Sequence, residues 1–422
     1  MDRLLGRAAP AARSARFPAH AAGGTPVKGY LRQDGRKGIR NVILVGYLVE
    51  CAHHVAREIS VQARGHDVQL IGFSGCYPNA YAQGLMEQLC THTNVGGVLL
   101  VSLGCEGFNR HRLEDAVRAS GRPVQTLVIQ ERGGTRSTTR EGVAWIREAR
   151  TALDRVPQVP LDWSELIVGT VCGGSDGTSG MSANPAVGGA FDTMVERGAT
   201  CIFEETGELI GCEHHMAGRA ITPELGQALV DSVHKAARYY TTLGHGSFAP
   251  GNADGGLTTQ EEKSLGAYAK SGLGPIHGLI RPGERAPAPG LYLMDVIPDG
   301  EVRFGFPNIN DTAENIEMIA SGAHLILFTT GRGSVVGSAI SPVIKVCANP
   351  ETYRRMSEDM DVNAGKILEG GATLPQVSQE IVDLVEAVAS GRQSVSEELG
   401  HQEFVLTYKT FEPSGPACLP LA

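Results

Sequence analysis

Cysteines, carboxylates and a few isolated basic side chains stand where this chain could do chemistry. Cys51, Cys76 and Cys105 each follow an apolar run, in the contexts Glu50-Cys51, Ser74-Gly75-Cys76 and Gly104-Cys105-Glu106. Cys172 follows a fourth such run and precedes Gly-Gly-Ser-Asp. Thiolates are ligands for transition metals and for clusters, so these four make one candidate metal set. The plainer reading is four small buried hydrophobes. Against it, Cys76, Cys105 and Cys172 adjoin glycines in turns, where packing needs no thiol. A second set is Glu205, Glu208, Cys212 and His215 in FEETGELIGCEHH. On a helix over 207–217, positions 208, 212 and 215 would share one face, with Glu205 at its entry. Carboxylates beside a histidine can ligate a metal or act as a general base. The alternative is an acidic helix start favoured by the dipole. His214 competes with His215 for the histidine role.

Three further motifs suit anion recognition. GGSDGTSG (173–180), which holds Ser175 and Asp176, would present backbone N–H groups to an anion ahead of a helix, unless it is an ordinary strand-to-helix turn. FTTGRG (328–333) ends an apolar run at Thr330 and places Arg332 between two glycines, well suited to bidentate carboxylate binding. Lys345 interrupts the apolar run PVIKV. A lysine there needs a partner, which points to carboxylate binding or catalysis. Lys263 follows GGLTT in a helical stretch and reads as a surface residue or helix partner, with substrate binding as its functional alternative. His54 shares a helical face with Cys51, and packing and catalysis fit it equally.

These residues need positioning elements, and the hydrophobic pattern supplies them. NVILVGYLV (41–49), VQLIGF (68–73), GVLLVSL (97–103) and VQTLVIQ (124–130) are continuous β-branched runs, as in parallel strands buried on both faces, and helical stretches separate them. That alternation predicts a doubly wound, flavodoxin-like layer over 29–158. Such layers bind ligands beyond the carboxyl ends of their strands. A proline-containing linker around 156–162 leads to a second domain over 159–422. Its strands are expected at 165–171, 199–205, 290–296, 324–330 and 341–347. Its helices are expected at 185–197, 223–240, 312–321 and 376–390. The fold class is therefore α/β, with two doubly wound, mostly parallel-sheet domains. The glycine-rich stretch 244–259 reads as a long functional loop.

Composition limits the options. A chain of 422 residues with 42% hydrophobic and 20% charged residues belongs to the globular class, with no run long enough to cross a membrane. A net charge of −9 argues against general nucleic-acid binding. Nine scattered cysteines without a CxxC pair indicate a reducing, cytoplasmic-type compartment. Residues 1–28 stand apart, because Arg3, Arg7, Arg13 and Arg16 face a single acid, Asp2, in an alanine-rich background. They read as a disordered extension, with a mitochondrial targeting segment as the alternative.

In this order, GYLRQDGRKGIRN (29–41), LGCEGF (103–108), VCGGSDGTSGMSANPAVG (171–188), FEETGELIGCEHH (203–215), GNADGGLTTQEEKSLG (251–266), FTTGRGSVVG (328–337) and PVIKVCANPETYRRM (342–356) resemble the catalytic chain of the altronate/galactarate dehydratase family. The sulfolactate sulfo-lyase large subunit belongs to the same family, and GHQEFVLT (400–407) is similar to its ending. The resemblance runs from about residue 29 to about residue 404. It implies elimination of a β leaving group from a hydroxy acid: water from a sugar acid to give a 2-keto-3-deoxy acid, or sulfite from sulfolactate. A non-catalytic sugar-acid-binding paralogue is the alternative from another class.

Removing a proton α to a carboxylate requires stabilisation of the enediolate, which a divalent cation supplies. The resemblance accordingly implies iron, as Fe2+ or an iron–sulfur centre, with Mn2+ or Mg2+ as substitutes. Catalysis is expected of Glu205, Glu208, His214 and Lys345. Substrate binding is expected of Arg332, Asp176, Ser175, Thr330 and Lys263, and metal binding of Cys51, Cys76, Cys105 and Cys172. The resemblance also implies an oligomer and a small β-rich domain that pairs with the catalytic chain, here expected as a separately encoded subunit. The alternative is that the 244–259 loop serves as the lid. One departure bears on the substrate. The histidine-rich stretch of altronate-type enzymes is replaced here by IGFSGCYPNAYA (71–82), which contains no histidine.

Overall fold

A computed structural model describes residues 27–244, 250–300 and 310–407. The arginine-rich N-terminus up to residue 26 and the stretch 245–249 of the glycine-rich loop lie outside the described residues.

The β-branched runs of the N-terminal half form a four-stranded parallel sheet. Its order is Val68–Gly72, Val42–Tyr47, Val95–Ser102, Val124–Val128. This 2-1-3-4 order is the flavodoxin-like arrangement that the alternation predicts. Helices Glu50–Gln62, Ala80–Cys90 and Arg110–Ala119 lie where periodicity places them. The sequence reading passed over a fourth helix, Thr135–Leu153, which packs on Glu50–Gln62. Its buried face is thin, with Val143, Ile146, Ala149 and Leu153 amid arginines, so its apolar signal is weak.

The C-terminal half forms a seven-stranded sheet, parallel throughout. Its order is Gly278–Ile280, Gly290–Met294, Thr200–Phe203, Ile167–Cys172, Leu325–Thr330, Val343–Cys347, Val362–Asn363. From Ile167–Cys172 the chain first builds to one side and later returns on the other at Leu325–Thr330. The carboxyl ends of those two strands therefore flank a topological switch point, where open α/β sheets bind their ligands. Among the described residues no helix is long and apolar enough to cross a membrane.

One expectation is corrected. The stretch 156–162 is more than a linker, because Gln158–Pro160 pairs antiparallel with Lys28–Leu31, which also pairs with Lys37–Gly38. This small third sheet ties the start of the described chain to the junction between the two halves. Helix Ala80–Cys90 of the first half packs on helix Asp311–Ala320 of the second. Tyr81 donates to Glu317, while Leu85 and Ser321 both adjoin Gly283. The two helices thus run in the same direction, and the carboxyl edges of both large sheets open on the same side.

Candidate active site

At the end of Ile167–Cys172 the chain turns through Gly173, against which Asp311 packs so closely that a Cβ there would stand 2.1 Å from its Oδ2. This glycine lets a second carboxylate approach the strand end. Glu205 follows the neighbouring strand, and its Oε1 accepts the Cys172 backbone N–H at 2.8 Å. Its Oε2 lies 3.4 Å from the Cys172 Sγ, and Glu208 Oε2 lies 3.7 Å from that sulfur. Among the described residues, Cys172, Glu205 and Glu208 form the group whose ligand atoms lie within 4.8 Å of one another, close enough to share a metal ion.

Two lysines complete this cluster. Lys263 Nζ pairs with Glu208 at 2.7 Å and donates to Cys172 Sγ and Ser175 Oγ, each at 3.1 Å. It is 4% exposed, which overturns the surface reading of this residue. Lys270, fully buried, pairs with Glu205. The two lysines are seven residues apart, two turns along one face of Gln260–Ala269 and its cap. That spacing is the signal by which sequence reading could have found Lys270.

The electrostatics follow from burial and these neighbours. Burial pushes the Cys172 thiol up, but Lys263, Lys270 and the Ser175 hydrogen bond together outweigh it and hold the thiol below its ordinary value. Burial lowers Lys270, and the facing Cys172, Glu204 and Glu314 only partly offset it. Burial raises Asp311 despite both lysines.

A metal ion could enter this group only by displacing the lysines. A divalent ion bonded to all three ligands would stand roughly 4 Å from each ammonium, a repulsion of about 8 kcal/mol per contact at an effective dielectric of 20. As folded, lysines balance this donor set, so it is a possible metal site only with those lysines displaced.

The second cluster lines the rim. Gly331 and Arg332 donate backbone N–H groups to Gly174 O, at 3.1 and 2.8 Å. Asp176 crowds Gly331 so tightly that a Cβ there would lie 2.1 Å from its Oδ1. The Asp176 carboxylate accepts from Thr178, Ser179 and Asn349, so it organises the turn. Thr330 is buried and accepts from the Gly333 N–H. Arg332 is exposed, with its side chain directed toward Gly251 and Gly255 of the glycine-rich segment. That segment contains the short helix Pro250–Asp254, and Gly177 donates to Gly255 O at 3.1 Å. The described part of the expected loop therefore packs over the rim.

Other expected residues lie apart. The stretch 207–217 is not one helix. A short 3-10 turn, Thr206–Glu208, ends before Gly211 at φ +93, and a new helix starts at Glu213–Ala217. Positions 208, 212 and 215 therefore share no helical face. Cys212 is buried, while His214 and His215 are exposed and His215 packs on Tyr268. Lys345 has partners of its own, donating to Val336 O at 3.3 Å and meeting His401 Nδ1 at 3.2 Å.

Among the described residues the four cysteines do not come together in one compact ligand group. Cys172 is buried in the lysine cluster, whereas Cys51, Cys76 and Cys105 are exposed on the edge of the other sheet. His54, on helix Glu50–Gln62 with Cys51, is exposed.

Comparison with known proteins agrees with this architecture. The model of the D-galactarate/altronate dehydratase C-terminal domain matches residues 163–411. That of the D-galactarate dehydratase/altronate hydrolase second domain matches 29–154. The (2R)-sulfolactate sulfo-lyase subunit beta of Chromohalobacter salexigens is 34% identical over 90% of this chain and 96% of its own length. The altronate dehydratase of Bacillus subtilis is 29% identical over 86% of this chain and 74% of its own length. The galactarate dehydratase (L-threo-forming) of Escherichia coli is 31% identical, covering 73% of this chain and 59% of that protein. With its switch-point cluster inside the longer matched segment, the chain belongs to the D-galactarate/altronate dehydratase family.

Proposed function

We propose that this chain is the catalytic subunit of a lyase that eliminates water from a sugar acid of the altronate/galactarate type, giving a 2-keto-3-deoxy acid. The observation that carries the reading is the buried Cys172–Glu205–Glu208 group with its two lysines, set at the switch point of the seven-stranded sheet. Its relatives are dehydratases and a sulfo-lyase, so elimination is the shared chemistry.

The roles follow from position. Arg332 at the rim meets the substrate carboxylate with its planar fork. The Glu208 side chain retains 23% of its surface, so among the three clustered ligands it is the carboxylate open to substrate. It takes the proton from C2. The negative charge that develops on the substrate carboxylate is met by Lys263, already 2.7 Å from Glu208 and prepositioned before the reaction begins. The C3–O bond then breaks as the protonated Glu208 returns its proton to the departing hydroxide, which leaves as water. The enol ketonises by gaining a proton at C3 while its hydroxyl proton passes to solvent. Glu205, locked to Lys270 and to the Cys172 backbone, holds the group in place.

Release of sulfite from a sulfolactate-type acid is the second reading, favoured because the sulfo-lyase subunit matches over 96% of its length. A panel of aldonates, aldarates and sulfolactate, assayed for 2-keto acid and for sulfite, decides between them. Lys263→Met should lower kcat/KM about 100-fold or more on the true substrate while the far-UV spectrum stays native. An unchanged kcat/KM would remove the cluster from the reaction.

That relative is named a subunit, which supports a separately encoded small partner docking over the rim. Adding such a partner should raise turnover and protect the 250–259 segment from proteolysis. Full activity of the chain alone would leave the lid role to that segment. Eight free cysteines among the described residues suit a reducing, cytoplasmic setting.

A further inference from the structure

Arg332 stands near the start of a stretch, 331–342, that has no helix or strand of its own before the next strand begins at Val343. Main-chain groups in such a stretch need partners from elsewhere. Upstream the partners come from the sheet edge. Gly174 O receives the Gly331 and Arg332 N–H groups, and Thr330 Oγ1 receives the Gly333 N–H. Downstream they come from the neighbouring strand and the last described part of the chain. Glu403 Oε2 accepts the Gly337 N–H at 2.7 Å, a short bond assisted by the carboxylate charge. Lys345 Nζ donates to Val336 O at 3.3 Å. Ser334 and Val335 span the gap between these two anchorages.

The segment that carries Glu403 is fixed at both ends. Before it, helix Val395–Leu399 is tied to the sheet, where Ser396 Oγ donates to Val343 O and Val395 N–H donates to Asp361 Oδ1 at 2.9 Å. Gly400, at φ +74, ends that helix and turns the chain toward the loop. After it, Phe404 and Leu406 pack into the apolar core that Leu85 and Met86 of the first half share with Ile316 and Phe328 of the second. In between, segment and loop touch backbone to backbone. A Cβ on Gly337 would stand 2.5 Å from His401 O. Lys345, fully buried, links the two from below, since the same ammonium that holds Val336 O meets His401 Nδ1 at 3.2 Å. Burial pulls Lys345 below its ordinary value, and Asp361, Asp359 and Glu403 only partly offset it.

We propose that residues 401–406 are a strap that fixes the Arg332 loop, with Glu403 as a positioning residue for the substrate carboxylate. Lys345, singled out in the sequence for catalysis, then serves the junction of strap and loop. A guanidinium recognises a carboxylate only in a narrow range of positions, so a loop held on one side alone binds less well. The effect on substrate rests on the lyase reading given above. The mechanical hold of the strap does not.

The test exploits the position of Arg332, an exposed trypsin site inside the strapped loop. A protease cleaves such a loop when it opens locally, so the rate of cutting reports the hold on it. In the full chain, Glu403→Ala should speed cleavage after Arg332 about tenfold or more, while cleavage after exposed Arg64 in the other half stays the same. Glu403→Gln keeps an acceptor for Gly337 N–H and should rescue most of the protection. Gly337→Ala, which pushes His401 away, should match Glu403→Ala. On the substrate found by the panel, Glu403→Ala should raise KM about tenfold with kcat within about threefold. Unchanged cleavage after Arg332, or equal acceleration at Arg64, would overturn the strap. Faster cleavage at Arg332 with KM unchanged would overturn the positioning role and leave the strap. If no acid in the panel is turned over, the lyase reading fails, and the cleavage ratio still decides the strap.

Discussion

The two large sheets obey one topological rule and finish differently at their carboxyl edges. On the seven-stranded sheet, Cys172 is buried and every anion of its ligand group has a lysine within reach. On the four-stranded sheet, three cysteines face solvent on hydrogen-bonded loops. Identical thiols therefore sit in opposite environments. In the first, a side chain already present balances the charge, and the thiol is part of a fixed electrostatic network. In the second, the thiols stand on loops open to solvent. A strand end thus says where chemistry can occur, and the neighbours say which kind.

The sharpest way to break this contrast is to remove a counter-charge from the buried edge. Lys270→Met leaves Glu205 buried and unpaired, which should cost about 3–5 kcal/mol of stability. The midpoint of chemical denaturation measures it. A loss below about 1 kcal/mol would mean that the pair carries little of the cluster.

The junction between the two sheets offers a smaller, pH-dependent effect. His324 accepts from Ile167 N–H and contacts Lys37 O, and burial brings its pKa down from 6.5 to about 4. Burial also pushes His92, packed against it, well below its ordinary value. A histidine held neutral in the fold but free to protonate when unfolded makes unfolding take up protons. Stability is then complete above about pH 6.5 and is lost as pH falls toward about 4, by about 3 kcal/mol for His324 alone. Urea midpoints at pH 7 and pH 4.5 test this, and His324→Gln should flatten the difference. An equal drop in the variant would place the acid sensitivity elsewhere.

The smallest effect belongs to the exposed edge. Cys51→Ser in the metal-free chain should change stability by no more than about 0.5 kcal/mol, because an exposed thiol supports no packing. A larger loss would show that Cys51 is structural after all and would weaken the contrast from the other side.

Much of this was legible in the residues themselves. Continuous β-branched runs such as NVILVGYLV and HLILFTT can lie only in strands covered on both faces, so both parallel sheets, and the strand-end position of each cysteine, follow from local pattern. Helix Thr135–Leu153 escaped because its apolar stripe is narrow among arginines. The 207–217 stretch was misread because Gly211 adopts positive φ and breaks the periodicity that the spacing suggested. Strand-end placement of Cys51, Cys76, Cys105, Cys172, Glu205 and Arg332 was thus determined by the sequence alone, since hydrophobic period and turn residues act over a few positions. Only the tertiary structure decided which of these residues meet. Lys263 reaches Cys172 across 91 residues and Lys270 reaches Glu205 from the same helix face, and Cys172 parts from the other three thiols because it ends a strand of a different sheet. The charge balance of a buried site is a property of distances through space, which no local pattern encodes.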